Sequence, residues 1–157
     1  MRRQKALLIG LSVLALVGCS GDAGDRYVVT ANDDILVVLE DVVRGDGGAL
    51  STATVHYILA VPQPLEEGQT AGRHIQRMTY RSRFDCPQRT WGSISRSYTF
   101  EDGGTVSETE SVTALQPAAP DSVAGQIIAT VCDPATAQAA RNHRSLERLE
   151  QRYRAAL

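Results

Sequence analysis

Residues 75–86 read IQRMTYRSRFDC, and polar and apolar side chains alternate along most of this stretch. A strand points successive side chains to opposite faces of a sheet, so this alternation predicts a half-buried β-strand. One predicted face carries Met78, Tyr80, Phe84 and Cys86, and the other carries Arg77, Thr79, Arg81, Arg83 and Asp85. The sequence therefore predicts a sheet with one dry face and one wet face.

Five further segments have strand character and are joined by short connections. They are residues 27–30, 35–41, 52–61, 90–101 and 105–112. The intervening segments 32–34, 44–48 and 102–104 are rich in Asn, Asp and Gly, the residues that tight turns favour. Connections of this length join antiparallel neighbours. We therefore expect an α+β domain built on an antiparallel sheet of about six strands.

After Pro120 the apolar spacing changes from that of a strand to that of a helix. Apolar residues then recur at Val123, Ile127, Ile128 and Val131. This pattern predicts a short helix that ends near Cys132, although Gly125 lowers its helix propensity. Asp133 and Pro134 suit the N-cap and first turn of a further helix.

We expect that further helix to cover residues 135–157 and to pack on one face of the sheet. Its narrow apolar stripe consists of Ala139, Leu146, Leu149, Tyr153 and Ala156. A stripe of this kind buries itself against a sheet or, as an alternative, against a partner or a second copy of the chain.

The first nineteen residues have the three-part layout of a secretory signal. Arg2, Arg3 and Lys5 precede a run of apolar or small residues over 6–17, which at twelve residues is too short to span a bilayer. The segment Leu16–Cys19 resembles the lipobox of bacterial lipoproteins. That resemblance implies a signal peptide over 1–18, and diacylglycerol plus an acyl chain such as palmitate on Cys19. The alternative is a secreted protein whose Cys19 pairs with another cysteine.

The lipobox resemblance also implies an address and a domain layout. Ser20 stands where many inner-membrane lipoproteins of Gram-negative bacteria carry aspartate, which points to the outer membrane. Residues 19–26, here called the tether, lead to one domain over 27–157, and the six residues 20–25 span at most about 20 Å. The expected protein is anchored to its membrane without spanning it, because two or three lipid chains hold a protein firmly.

Cys86 and Cys132 are the two cysteines that remain after Cys19. An even pair in an oxidising compartment predicts a disulfide. Closing a loop over a separation of 46 residues would contribute about 4 kcal/mol of stability. A redox thiol or a metal ligand is the alternative, but the chain has no C-x-x-C and no recognisable zinc spacing.

Several short motifs resemble the surface-adhesin protein E-like lipoproteins. They are Phe84-Asp85-Cys86 at a strand end, Tyr98 before the turn glycine Gly103, and Pro120-x-Ser122 followed ten residues later by Cys132. The resemblance covers residues 28–133 and implies an antiparallel sheet carrying a C-terminal helix that one disulfide ties to it, and adhesion to host proteins as the function. Tryptophans of that family are mostly missing here, since Trp91 stands alone.

No catalytic motif is found, and we expect a protein that is not an enzyme and needs no cofactor or metal ion. The chain has no G-x-S-x-G, H-E-x-x-H or phosphate-binding glycine loop. His56, His74 and His143 are interpreted as solvated or hydrogen-bonded structural residues, with a hydrolase assembled around His56 as a remote alternative. The segment 45–48 is interpreted as a turn rather than a calcium loop.

The charge pattern excludes a general nucleic-acid binder. Removal of residues 1–18 takes away the only lysine and two arginines but no acidic residue, so the formal charge falls from −2 to −5. Without a lysine, the mature chain has no group for a Schiff base.

One basic cluster stands out between residues 73 and 96. It consists of Arg73, Arg77, Arg81, Arg83, Arg89 and Arg96, opposed only by Asp85. Because arginine binds carboxylate, sulfate and phosphate at two points, Arg77, Arg81, Arg83 and Arg96 are candidates for an anionic ligand such as an acidic glycan, lipid A phosphates or an acidic protein. The favoured alternative is a solvated face whose charges pair with Glu101, Asp102, Glu108 and Glu110.

The function expected from these features is a non-catalytic binding or interaction module of the cell envelope, adhesin-like in character. A structural or envelope-assembly lipoprotein that faces the periplasm is the alternative, because the tether is short.

Overall fold

The computed structural model describes residues 24–65, 72–108 and 113–157. The signal sequence, Cys19 and most of the tether lie outside these residues. The strands are β1 (Arg26–Ala31), β2 (Ile35–Val43), β3 (Ser51–Pro64), β4 (His74–Asp85), β5 (Thr90–Phe100), β6 (Thr105–Glu108), β7 (Gln116–Pro117) and β8 (Arg141–Asn142). The helices are α1 (Val123–Cys132), α2 (Pro134–Ala140) and α3 (Leu146–Arg154).

All strand pairs are antiparallel and form one sheet. Its order is β6-β5-β4-β3-β2-β1-β8, and β7 also pairs with β5. The predicted α+β fold is confirmed, and β1 to β6 correspond to the six predicted segments. Two further strands of two residues each, β7 and β8, bring the described sheet to eight. Residues 109–112 of the predicted sixth segment lie outside the described residues.

Strand β2 is apolar on both sides because the sheet is covered on both faces. Residues 36–39 are all buried. Val37 and Leu39 pack against α1, and Leu36 and Val38 pack against α3. The C-terminal helix thus lies on one face, as predicted, and α1 lies on the other. We call these faces the α1 face and the α3 face. The expectation of one dry and one wet face is therefore wrong where α3 covers the predicted wet face.

The α1 face holds the larger core. Its fully covered side chains include Phe84 of β4 and Ile128 and Val131 of α1, each at 0% exposure. The Ser122 side chain caps α1 by accepting a hydrogen bond from the backbone of Gly125. A Cβ at Gly125 would overlap the carbonyl oxygen of Ala119, so this glycine permits the close approach of the preceding loop.

The predicted disulfide between Cys86 and Cys132 is confirmed. It joins the turn after β4 to the last residue of α1. The helix that the bridge ties to the sheet is therefore α1. The expectation that the bridge holds the C-terminal helix is wrong, because α3 contains no cysteine and is held by non-covalent contacts.

The prediction of one helix over residues 135–157 is wrong, because the chain breaks it into α2, β8 and α3. Arg141 and Asn142 pair with Tyr27 and Arg26 at the sheet edge, so backbone bonds to β1 replace two helical residues. Ser145 then caps α3 by accepting from the Arg148 backbone. Of the predicted stripe, Leu146, Leu149 and Tyr153 are buried, whereas Ala139 and Ala156 are exposed.

Candidate functional site

Part of the α3 face is not covered by α3 and forms the candidate site. The helix packs with Leu36, Val38 and Ile58 of β2 and β3. Directly paired residues share a face, so the pairings of β3, β4 and β5 show which side chains continue this face beyond the helix. These side chains, here called the open face, are Thr52, Thr54, Arg81, Arg83 and Ser95.

Arg77 lies on the same face of the sheet but is engaged by the helix. Its Nη1 lies 3.1 Å from Oε2 of Glu150 on α3, and its Nη2 lies 3.5 Å from the Thr99 hydroxyl. Arg154 of α3 shares the same carboxylate, at 2.9 Å. Because its guanidinium is used to hold α3 on the sheet, Arg77 belongs to the packing of the domain.

Arg96 lies on the opposite face from Arg77, Arg81 and Arg83. It pairs directly with Tyr80, whose ring packs in the core under α1. Its Nε lies 2.7 Å from Oε2 of Glu108 on the next strand. The four predicted ligand residues are therefore divided between two faces, because a count of charges along the chain does not give the register between β4 and β5.

Two more arginines of the cluster lie away from the open face. Arg73 pairs with Asp102 at 2.6 Å and stacks on the ring of Phe100 at 3.9 Å. Arg89 is exposed in the turn after β4. The predicted neutralising pairs are thus present for Asp102 and Glu108.

The other two predicted acidic partners, Glu101 and Glu110, are not seen paired with an arginine of the cluster among the described residues. Glu101 lies 3.5 Å from His74, a histidine whose side chain is half exposed. Glu110 lies outside the described residues.

Arg81 is the exposed cation of the open face. Its side chain makes no hydrogen bond or ion pair within the described part of the chain. Arg83, two residues along β4, is half buried and donates from Nη2 to the carbonyl oxygen of Thr113 at 2.8 Å. The open face therefore presents one accessible guanidinium beside a second that is held in place.

A pocket of about 230 Å³ opens beside Arg81. Thr52, Thr54 and Asp41 also line it. Asp41 adopts a positive φ of 51° where β2 bulges, and its carboxylate accepts a hydrogen bond from Thr54 at 3.3 Å. The pocket thus combines a cation, hydroxyl groups and a carboxylate acceptor. Sequence reasoning missed Asp41, because only the bulge brings it beside Arg81.

A row of polar side chains crosses four strands on the α3 face. His56 is buried, and its Nε2 donates to Oε2 of Glu40 at 2.9 Å. Its Nδ1 lies 3.1 Å from the Thr79 hydroxyl, and Arg26 pairs with the other oxygen of Glu40. The hydrogen bond from His56 and the charges of His56 and Arg26 hold the pKa of Glu40 below its ordinary value, against the opposing effect of burial.

This row was not predicted, because its members are far apart in sequence and only the register of β1 to β4 aligns them. Both ring nitrogens of His56 are engaged, which agrees with the hydrogen-bonded structural role expected for this residue. His143, by contrast, is exposed, with 80% of its side chain accessible.

In residues 24–65, 72–108 and 113–157, no three His, Cys, Asp or Glu side chains are grouped so that they could hold a metal ion. None of the described helices has the length and apolar character needed to cross a membrane.

Comparison with models of protein families, with curated proteins and with solved structures gives no match to this chain.

Proposed function

We propose that the protein is a membrane-anchored bacterial lipoprotein of the cell envelope whose 27–157 domain is a non-catalytic binding module. The pairing of Cys86 with Cys132 is the observation that carries the proposal. The chain has three cysteines, so this bridge leaves Cys19 without a cysteine partner in the same chain. A disulfide also supports an oxidising compartment, where lipoproteins are processed.

The anchor consists of diacylglycerol and an acyl chain on Cys19, in the outer membrane of a Gram-negative bacterium. The experiment is to express the full chain with an alkyne analogue of palmitate and to determine the mass of the mature protein. Cys19→Ala should lose the label and retain the signal sequence. The double variant Cys86→Ala, Cys132→Ala is the control and should keep the label. An unacylated amino end on the unmutated protein would refute the anchor.

The ligand that the open face fits best is an acidic glycan. Arg81 offers its guanidinium to a carboxylate or sulfate. Asp41 and the neighbouring threonines offer acceptors and donors to sugar hydroxyls. Since Asp41 repels a second negative charge nearby, the pocket favours a sugar with isolated acidic groups over a dense polyanion.

Binding of an immobilised uronic-acid polysaccharide tests this ligand. Arg81→Glu should abolish measurable binding, and binding by the unmutated protein should fall as salt rises, because exposed charges are screened. Arg89→Glu makes the same charge change in an exposed turn and should retain binding. Equal loss with both variants would show a general charge effect and would refute a site at Arg81.

Adhesion to a host surface follows from the resemblance to surface-adhesin protein E-like lipoproteins and is part of the proposal. It requires that the domain face outward. Protease added to intact cells should then cleave the domain, and complete protection in intact cells together with cleavage in lysed cells would eliminate adhesion.

The second candidate is a periplasm-facing structural or envelope-assembly lipoprotein. It is favoured by the position of β1, which begins at Arg26 and leaves only a short tether after Cys19. A domain held this close to its membrane is well placed to contact other envelope proteins. Cross-linking in intact cells that recovers only such proteins would support this candidate over adhesion.

A further inference from the structure

Two arginines lie on one side of α3, and a third precedes the helix. Arg148 and Arg152 are four residues apart, a spacing that puts them on the same side of the helix, and Arg144 stands just before the cap residue Ser145. All three are exposed. The buried residues Leu146, Leu149 and Tyr153 lie on another side of the helix. We call the three arginines the α3 row.

The α3 row is not neutralised by the described part of the protein. Within the described residues, none of the three side chains makes an ion pair or a hydrogen bond. The neighbouring arginines differ, since Arg141 pairs with Asp25 and Arg154 pairs with Glu150. The row therefore presents three solvated cations, opposed in the exposed part of α3 by one carboxylate, that of Glu147.

The α3 row begins beside the point where the tether meets the domain. Asn142 pairs with Arg26, the first residue of β1, and Arg144 follows two residues later. The six residues 20–25 can extend to at most about 20 Å. The nine residues of α3 span about 14 Å. The whole row is thus within reach of a membrane that holds Cys19.

We infer that the α3 row binds the anionic phospholipid headgroups of the membrane in which Cys19 is anchored. The inference rests on the proposed lipid anchor, which sets the distance between α3 and the bilayer. Guanidinium groups form two-point hydrogen bonds to phosphate oxygens, and the lipid chains keep the headgroups at high local concentration. The domain then rests on α3, and α1, on the other face of the sheet, remains in water.

A single labelled position on each helix can report this orientation. The chain has no lysine after Lys5, so Gln151→Lys creates a unique lysine side chain in the mature protein. Gln151 is exposed and adjoins Arg152. The matched control is Gln126→Lys at an exposed position of α1. Each variant is labelled with an amine-reactive fluorophore, which removes the new charge, and any reaction at the amino end is the same in both.

The labelled lipoprotein is reconstituted into vesicles of phosphatidylcholine alone or with phosphatidylglycerol, each containing a lipid with a nitroxide quencher on its headgroup. We expect strong quenching at position 151 only in the vesicles with phosphatidylglycerol, and weak quenching at position 126 in both. Replacing the arginines of the α3 row by glutamine should reduce the equilibrium constant for contact between α3 and the membrane about fivefold for each arginine. Arg89→Gln removes another exposed arginine, in the turn after β4, and should leave the quenching unchanged.

Flotation of the same samples separates the inference from the anchor. If the protein floats with both kinds of vesicle but position 151 is quenched equally in both, the inference is wrong and the anchor stands. If the protein floats only with phosphatidylglycerol and the glutamine variant does not, the row is supported and the anchor is refuted. Flotation with neither vesicle overturns both.

Discussion

Helices α1 and α3 cover opposite faces of the same sheet, and different forces hold them there. Ile127, Ile128 and Val131 of α1 are at most 2% exposed, and a disulfide fixes its last residue to the sheet. Leu149 and Tyr153 of α3 keep 7% and 8% exposure. No cysteine tethers α3 to the sheet.

Polar contacts add to the apolar packing that attaches α3. They include the ion pair of Arg77 with Glu150, and a hydrogen bond from the Tyr153 hydroxyl to the backbone oxygen of Asn32 at 2.9 Å. Salt screens the ion pair, whereas the neutral hydrogen bond and apolar burial are not screened. The α1 face is therefore covered by a helix that apolar burial and a disulfide hold in place. The α3 face is covered by a helix with additional polar contacts, and it also carries the surfaces that we propose to bind ligands.

The largest effect should come from removing the bridge of the α1 face. The double variant Cys86→Ala, Cys132→Ala should lose about 4 kcal/mol of unfolding free energy, because the unfolded chain is no longer constrained across a separation of 46 residues. Urea denaturation of the variant and the unmutated protein measures the difference. Thiol labelling of the unmutated protein without a reductant should modify neither cysteine, and labelling of both would contradict the comparison.

Truncation of one buried aliphatic residue in each helix compares the two faces directly. Ile128→Ala should cost about 4 kcal/mol because the side chain is wholly enclosed, and Leu149→Ala about 2 kcal/mol because the rim of α3 can relax. Both changes shorten a four-carbon side chain to alanine. Equal losses in urea denaturation would show that α3 is packed as tightly as α1.

The α1 face should weaken at alkaline pH through Tyr57. Burial raises the pKa of Tyr57 to about 12 from 10.0, with a smaller contribution from the charge of Tyr80. The neutral phenol is favoured in the folded protein, so stability is complete below pH 10 and falls as the pH rises toward 12.

The loss at alkaline pH should approach about 2 kcal/mol. The urea concentration at the midpoint of unfolding, measured between pH 9 and 12, reports this loss. Tyr57→Phe should make that midpoint depend less on pH. Tyr27→Phe, on strand β1, is the control and should leave the dependence of stability on pH unchanged. An unchanged pH dependence in Tyr57→Phe would assign the effect to another group.

Protonation of Glu40 at acid pH should destabilise the α3 face. This is the smallest of the four stability effects predicted here. The pKa of Glu40 is held below the ordinary 4.5 by the hydrogen bond from His56 and by Arg26. The unfolded chain then binds a proton more readily, so the stability from this carboxylate is present above pH 4.5 and is lost as the pH falls through the lowered pKa.

Glu40→Gln should remove this loss of stability at acid pH, and it should lower the free energy of unfolding by about 1 kcal/mol at neutral pH. Urea midpoints between pH 3 and 6 measure both effects. Asp46→Asn, in an exposed loop, is the control and should retain the loss at acid pH. If the urea midpoint of Glu40→Gln depends on pH as strongly as that of the unmutated protein, the role given to this row of polar side chains is wrong.

The candidate site could be predicted only in part. Arg81 and Arg83 share a face because both lie at odd positions of β4, and alternation within one strand is readable from sequence. Arg96 could not be placed, because its face depends on the register between two strands, which bulges shift. Asp41 could not be placed in the pocket either, because it lies at the bulge in the pairing of β2 with β3.

The sequence alone determined strands β1 to β6, the helix that ends near Cys132, the helix start at Asp133, and the pairing of Cys86 with Cys132, because alternation, helical spacing, capping and cysteine number are local or countable properties. Only the tertiary structure decided that α1 and α3 lie on opposite faces, and that β8 interrupts the last helix. Those outcomes depend on contacts between distant segments. A segment with apolar residues at helical spacing can bury them against either face, so its own pattern does not identify the one that it covers.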